Sequence, residues 1–167
     1  MLAVIAVPEF PAGEAAWIDT IRRAHDPQYD QVPAHISLVF PFESADPDWF
    51  AGHVASVAAV TAPMAVGFDR LVRIENPHQP KYRFLNVLLA DAASAAPLTA
   101  LYRALGGQGA YEPHLTVTRF GAVFSAKAFE RQLGEFGAPI AGRLGALELL
   151  SIAHGAIRRE QSYPLGG

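Results

Sequence analysis

The chain has 167 residues, 51% hydrophobic and 17% charged, with a formal net charge of −3 and no cysteine. That length and apolar content support one folded domain with a substantial core and exclude a disordered chain. The charge balance excludes wrapping of long duplex DNA or RNA by a broad basic face, and the absent cysteine excludes disulfides, thiolate metal sites and a cysteine nucleophile.

Leu2 to Val7 is a continuous apolar run that predicts a buried strand, broken by Pro8, Pro11 and Gly13. It lacks a basic leader and stops at Pro8, so it does not read as a signal peptide. No run approaches the roughly 18 apolar residues that a membrane span requires. The expectation is a cytoplasmic monomer with no membrane partner. From Glu14 to about His25, Trp17, Ile21 and Ala24 recur at helical spacing and predict one buried helix face. Asp26 to Asp30 is a loop by composition. It leads into Val32 to Phe40, a predicted strand that Pro41 should end. Asp46-Pro47 supplies an N-cap and a first-turn proline for a helix burying Phe50, Val54 and Val57. A strand around Met64 to Phe68 comes next, and Glu75 to Pro80 is the connection between two halves, too short for a flexible linker.

The second half predicts a strand from Tyr82 to Leu89 and a helix from about Ala93 to Leu105. That helix buries Leu98, Leu101, Tyr102 and Leu105 and is stopped by Gly106 and Gly107. A strand over Glu112 to Phe120 comes next, then a helix with Phe129, Leu133 and Phe136 on its core face. An apolar run from Leu144 to Ile152, a turn at His154-Gly155 and a strand from Ala156 to Tyr163 complete the chain.

The halves repeat. His35-Ile36-Ser37-Leu38 returns as His114-Leu115-Thr116-Val117, 79 positions later, and the same offset relates Phe50, Val54 and Val57 to Phe129, Leu133 and Phe136. One offset thus preserves both a motif and the core face of the helix after it, as an internal duplication does. Strand alternation puts His35 and Ser37 on one face and Ile36 and Leu38 on the other; His114 and Thr116 stand likewise against Leu115 and Val117. The strand–helix–strand–helix–strand order, twice, predicts a bilobal α+β fold. It would comprise two mainly antiparallel sheets flanked by helices around a central cleft, with pseudo-twofold symmetry. A single domain over 1–167 is expected, with a first repeat at about 1–74, a second at about 81–152 and a final strand at about 156–163.

Two His-x-Ser/Thr-x motifs about 80 residues apart resemble the signature of the 2H phosphoesterase superfamily, which includes 2′-5′ RNA ligase-like and RNA 2′,3′-cyclic phosphodiesterase proteins. The likeness extends over nearly the whole chain, including Leu38 to Phe42 and Tyr163 to Gly166. Serine in place of threonine in the first motif keeps the hydroxyl. The resemblance implies metal-independent opening of a 2′,3′-cyclic phosphate on a nucleotide or RNA end, with no cofactor.

Residue chemistry supports those roles. Histidine serves as base or acid near neutral pH, so one of His35 and His114 would activate water while the other protonates the departing ribose oxygen. Residue types do not say which. Ser37 and Thr116 would donate hydrogen bonds to phosphate oxygens as charge develops. The resemblance also implies substrate binding by the residue five after each motif histidine: Phe40 stacking on a base and Arg119 on phosphate. Strict alternation puts both on the face opposite the histidines, so a bend is required. Tyr82 and Phe84 read as core rather than cleft. Close ligand spacing for zinc and a G-x-S-x-G serine nucleophile are both absent from the sequence. His25, His53, His78 and His154 read as structural or solvated, and Arg22-Arg23 and Arg158-Arg159 as solvated pairs, Arg158 or Arg159 being able to line the cleft. The alternatives are a non-catalytic nucleotide or RNA-end binding module using the same cleft, and a 2′-5′ RNA ligase-like activity.

Overall fold

A computed structural model of the chain describes residues 1–76, 79–133 and 139–167. In chain order they form β1 (Leu2–Ala6), α1 (Ala12–His25), β2 (Ile36–Phe42), α2 (Pro47–Val60), β3 (Met64–Glu75) and a 3-10 turn at Pro80–Tyr82. Then come β4 (Phe84–Ala90), α3 (Ala92–Ala104), β5 (His114–Phe120), α4 (Val123–Leu133), β6 (Ile140–Leu144), β7 (Ala146–Ala153) and β8 (Ala156–Pro164). This is an α+β fold in which helices pack on a strand-rich core.

Local chemistry explains most boundaries. Asp46 caps α2 by accepting from the Trp49 amide at 2.9 Å, with Pro47 in the first turn. Asp91 caps α3 through the Ser94 amide at 2.8 Å. Gly106 ends α3 at φ 91°, a conformation that costs glycine nothing. His154 and Gly155, at φ 51° and 81°, form the tight turn between β7 and β8. Phe50, Val54, Val57, Leu98, Leu101, Tyr102, Leu105 and Phe129 are buried as the helical spacing requires, whereas Phe136 falls outside the described residues.

Several boundaries differ from expectation. Pro41 does not end β2, which continues to Phe42; the β1–β2 register slips between Val39 and Phe42, and an irregular ladder tolerates a residue without an N–H. His35 immediately precedes β2. β3 is far longer than Met64 to Phe68, and Tyr82 belongs to the 3-10 turn rather than to β4. The apolar run from Leu144 is divided at Gly145 between β6 and β7. In α1 Ile21 is buried and Trp17 packs half-buried against the core as the spacing predicts, whereas Ala24 is exposed and Ile18 and Arg22 are buried instead, Arg22 turning inward to the Asp26 carboxylate.

The strands form one hydrogen-bonded sheet, β6-β3-β4-β5-β2-β1-β7-β8, in place of two separate sheets. Its centre is thin: β5 and β2 share the single pair Ile36↔Leu115. The four-stranded sets on either side therefore touch edge to edge, and each seam strand carries one histidine motif. Alternate residues build the two faces. Val4, Ala6, Ile36, Leu38, Leu88, Ala90, Leu115 and Val117 join apolar residues of all four helices in one core. The opposite face carries two smaller clusters, Ala3, Ile5, Val32 and Leu150 on one side and Leu85, Val87 and Leu89 on the other.

Candidate active site

The four motif side chains stand on the helix-free face. Ile36, Leu38, Leu115 and Val117 are committed to the helix core, so alternation turns His35, Ser37, His114 and Thr116 the other way. Ladder partners agree: Ser37 is opposite Ile5, His114 opposite Leu89 and Thr116 opposite Val87, all on that face. The Ile36↔Leu115 pair brings the two motifs together: His35 and Ser37 flank Ile36, and His114 and Thr116 flank Leu115. All four side chains are half-buried. Where the seam ladder stops, the Tyr111 hydroxyl donates to the Ser37 carbonyl at 2.8 Å, and its ring stacks on Tyr102 at 4.1 Å.

Both imidazoles are fixed in the same way. His35 Nδ1 lies 2.8 Å from the Pro33 carbonyl, and His114 Nδ1 lies 2.8 Å from the Glu112 carbonyl. Carbonyls only accept, so each Nδ1 carries the proton and each Nε2 is left for a ligand. Burial pushes the His35 imidazole down from 6.5 to about 4; the Arg119 and Arg22 charges push the same way, against the Pro33 bond and Asp26. Burial, and then the Arg119 charge, also lower His114, opposed by its Glu112 bond and the Glu112 carboxylate. Both rings are therefore neutral in the free protein near pH 7.

An irregularity shared by the two motif strands alters the facing that alternation predicts. Between β4 and β5 the register slips from Asn86↔Thr118 to Val87↔Thr116, and between β1 and β2 from Val4↔Val39 to Ile5↔Ser37. Each slip inserts one residue into the motif strand, a β-bulge at equivalent sites of the two repeats, and so reverses the facing of the residues beyond it. Arg119 thereby joins the histidines: it is 10% exposed, and its charge acts on both imidazoles. Phe40 does not join them: it lies further along β2, where the ladder to β1 slips a second time. It is 56% exposed and contributes to an apolar cavity of about 400 Å³ with Trp49, Phe50, His53 and Tyr102. Neither imidazole lines that cavity.

Sequence reasoning missed three residues. Asp26, read as loop, is fully buried and accepts from Arg22 Nε at 2.9 Å and Arg119 Nη1 at 2.5 Å. Arg22, read as solvated, is 4% exposed and also donates to the Val32 carbonyl at 2.8 Å. The i, i+4 spacing of Arg22 and Asp26 was the available signal. Tyr111 had none. Arg158 and Arg159 are exposed on β8, where Arg159 approaches Glu148 at 3.7 Å. Among the described residues no group of three His, Cys, Asp or Glu side chains could hold a metal ion, and no helix is long and apolar enough to cross a membrane.

Known proteins provide an independent comparison. The sequence profile of the 2′-5′ RNA ligase superfamily matches residues 10–156. No curated protein sequence matches. Among solved structures, Escherichia coli LigT complexed with 3′-AMP is similar at TM-score 0.61 and 16% identity, covering 99% of this chain and 98% of that one. LigT complexed with phosphate is similar at TM-score 0.58 and 17% identity, over 99% and 97%. Kluyveromyces marxianus Usb1 is similar at TM-score 0.60 and 10% identity, over 98% of each chain. At such identities these structures speak for the fold alone.

Proposed function

This chain belongs to the 2′-5′ RNA ligase superfamily, among the 2H phosphoesterases, and from that premise we propose that it hydrolyses the 2′,3′-cyclic phosphate of a nucleotide or RNA end, using side chains without a metal. The observation that carries the reading is the matched pair of imidazoles, one immediately before β2 and one opening the adjacent β5, each with Nδ1 tied to the carbonyl two residues back. Two equivalent Nε2 atoms are what in-line displacement at phosphorus asks for, one for each end of the reaction axis.

One neutral imidazole takes a proton from water as the oxygen bonds to phosphorus. The other, protonated, gives its proton to the ribose oxygen as the P–O bond breaks. A phosphomonoester results, and each ring ends in the other's starting state. Burial lowers His35 to about 4 and so favours it as base; the Glu112 carboxylate beside His114 favours that ring as acid. Ser37 and Thr116 donate to the non-bridging oxygens, and Arg119 holds the phosphate charge. Phe40, beyond the imidazoles, stacks on the base. Repeats at about 1–74 and 81–152 around a pseudo-twofold axis would account for the order of the six inner strands, which reads alike from both ends, and for the matching bulges.

The test is incubation of purified protein with 2′,3′-cyclic nucleotides and with RNA ending in a cyclic phosphate, the products being separated by chromatography. Turnover is expected for wild type and not for His35→Ala or His114→Ala. Binding without turnover would replace the hydrolase with a binding module, and joining of RNA ends would replace it with a ligase.

A further inference from the structure

Resting on the reading of the seam as a phosphoryl site, we propose that Asp26 is a positioning residue, a buried carboxylate that aims Arg119 at the substrate phosphate and leaves a surplus positive charge for it to neutralise. Asp26 follows the last residue of α1, and its carboxylate is inaccessible to solvent. Oδ2 receives Arg22 Nε at 2.9 Å, while Oδ1 receives Arg119 Nη1 at 2.5 Å and the Gln28 amide at 3.0 Å. Two nearly buried guanidiniums thus share one carboxylate, and the cluster holds a net charge of about +1. Burying an uncompensated charge is expensive, and an arriving anion relieves that cost.

The two cations are used differently. Arg22 is committed inside the protein, to Asp26 and to the Val32 carbonyl. Arg119 gives one nitrogen to Asp26, and its other nitrogens make no hydrogen bond among the described residues, nor are they sealed off. Guanidinium is planar, so fixing one nitrogen aims the remaining donors as a fork, the shape that suits two oxygens of one phosphate. The Val32 bond also anchors the segment whose next carbonyl, that of Pro33, orients His35. One carboxylate therefore governs both the anion receptor and an imidazole. The charged groups acting on His35 are Arg119, Arg22 and Asp26; those acting on His114 are Glu112 and Arg119.

Inorganic phosphate provides a probe independent of turnover. Asp26→Asn alone would add a positive charge beside the anion, so the test uses Asp26→Asn combined with Arg22→Gln, which keeps the cluster near +1. Phosphate affinity, followed by calorimetry and by NMR of the histidine rings, should fall about 10–100-fold in that variant, as loss of charge-assisted hydrogen bonds predicts. KM for a cyclic nucleotide should rise similarly with a smaller change in kcat. Asp26→Glu, which keeps the charge but displaces the carboxylate, should bind phosphate less tightly than wild type and more tightly than the double variant. Wild-type phosphate affinity in the folded double variant would overturn the proposal, as would a wild-type protein that does not bind phosphate; should the double variant fail to fold, wild-type affinity in Asp26→Glu overturns it. Absence of cyclic-phosphate turnover in wild type, with phosphate binding still dependent on Asp26, would instead refute the hydrolase reading and leave the positioning role intact.

Discussion

At the residue scale the site depends on a carbonyl two positions before each histidine, which commits Nδ1 and leaves Nε2 for chemistry. Removing either ring should lower kcat/KM by at least about 10²–10⁴-fold, the usual worth of general acid–base catalysis, with circular dichroism unchanged. The pH profile has a definite sign. Rate requires one ring neutral and one protonated, and both imidazoles are lowered from 6.5, His35 to about 4. The kcat/KM optimum should therefore fall below pH 6.5, with about tenfold loss per pH unit on the alkaline side. A plateau reaching above pH 7.5 would contradict this, and NMR titration of the rings checks the midpoints directly. The histidine motifs were legible because a strand's alternation lies in adjacent residues. The Asp26–Arg119 pair was not, because its partners are 93 positions apart and nothing local marks Asp26 as other than a loop residue.

At the element scale the two bulges re-aim a side chain without changing the hydrophobic pattern. Alternation read from sequence assumes an uninterrupted ladder, so it assigned Arg119 to the wrong face while placing Leu115 and Val117 correctly. Pro41 misled for the same reason: an irregular ladder lacks the regular demand for its N–H. Helices were easier, since caps and apolar spacing are local. The junction of β3 and α3 offers a test. The Gly67 amide donates to Ser94 Oγ at 2.7 Å, and a Cβ on Gly67 would overlap the Asp91 carboxylate that caps α3. Gly67→Ala should therefore cost about 1 kcal/mol or more in denaturant unfolding, the worth of a lost N-cap. Tyr111→Phe removes the hydroxyl that joins the seam at Ser37 and should cost about 0.5–1.5 kcal/mol by the same measurement.

At the scale of the whole molecule, sequence halves are not structural halves. β3 precedes the connection, yet both of its neighbours, β4 and β6, come after it, while β1 pairs with β7. The helix core likewise draws on both halves of the chain. Fragments 1–76 and 79–167 should each be unfolded alone, because β1 and β3 lose partners, and far-ultraviolet circular dichroism should show structure only on mixing. The intact chain should unfold in one transition, with near- and far-ultraviolet signals coincident.

An open sheet of eight strands has two outer borders, each a template on which a second chain could grow. One is occupied from within: Glu9 exchanges backbone hydrogen bonds with Arg143 of β6, at 2.8 and 2.9 Å. The other, β8, exposes Arg158, Arg159 and Glu160 in succession. Stacking copies there would crowd ionised groups into a dry contact, so the two margins carry unrelated obstacles to fibrillar growth, occupancy at one and electrostatics at the other.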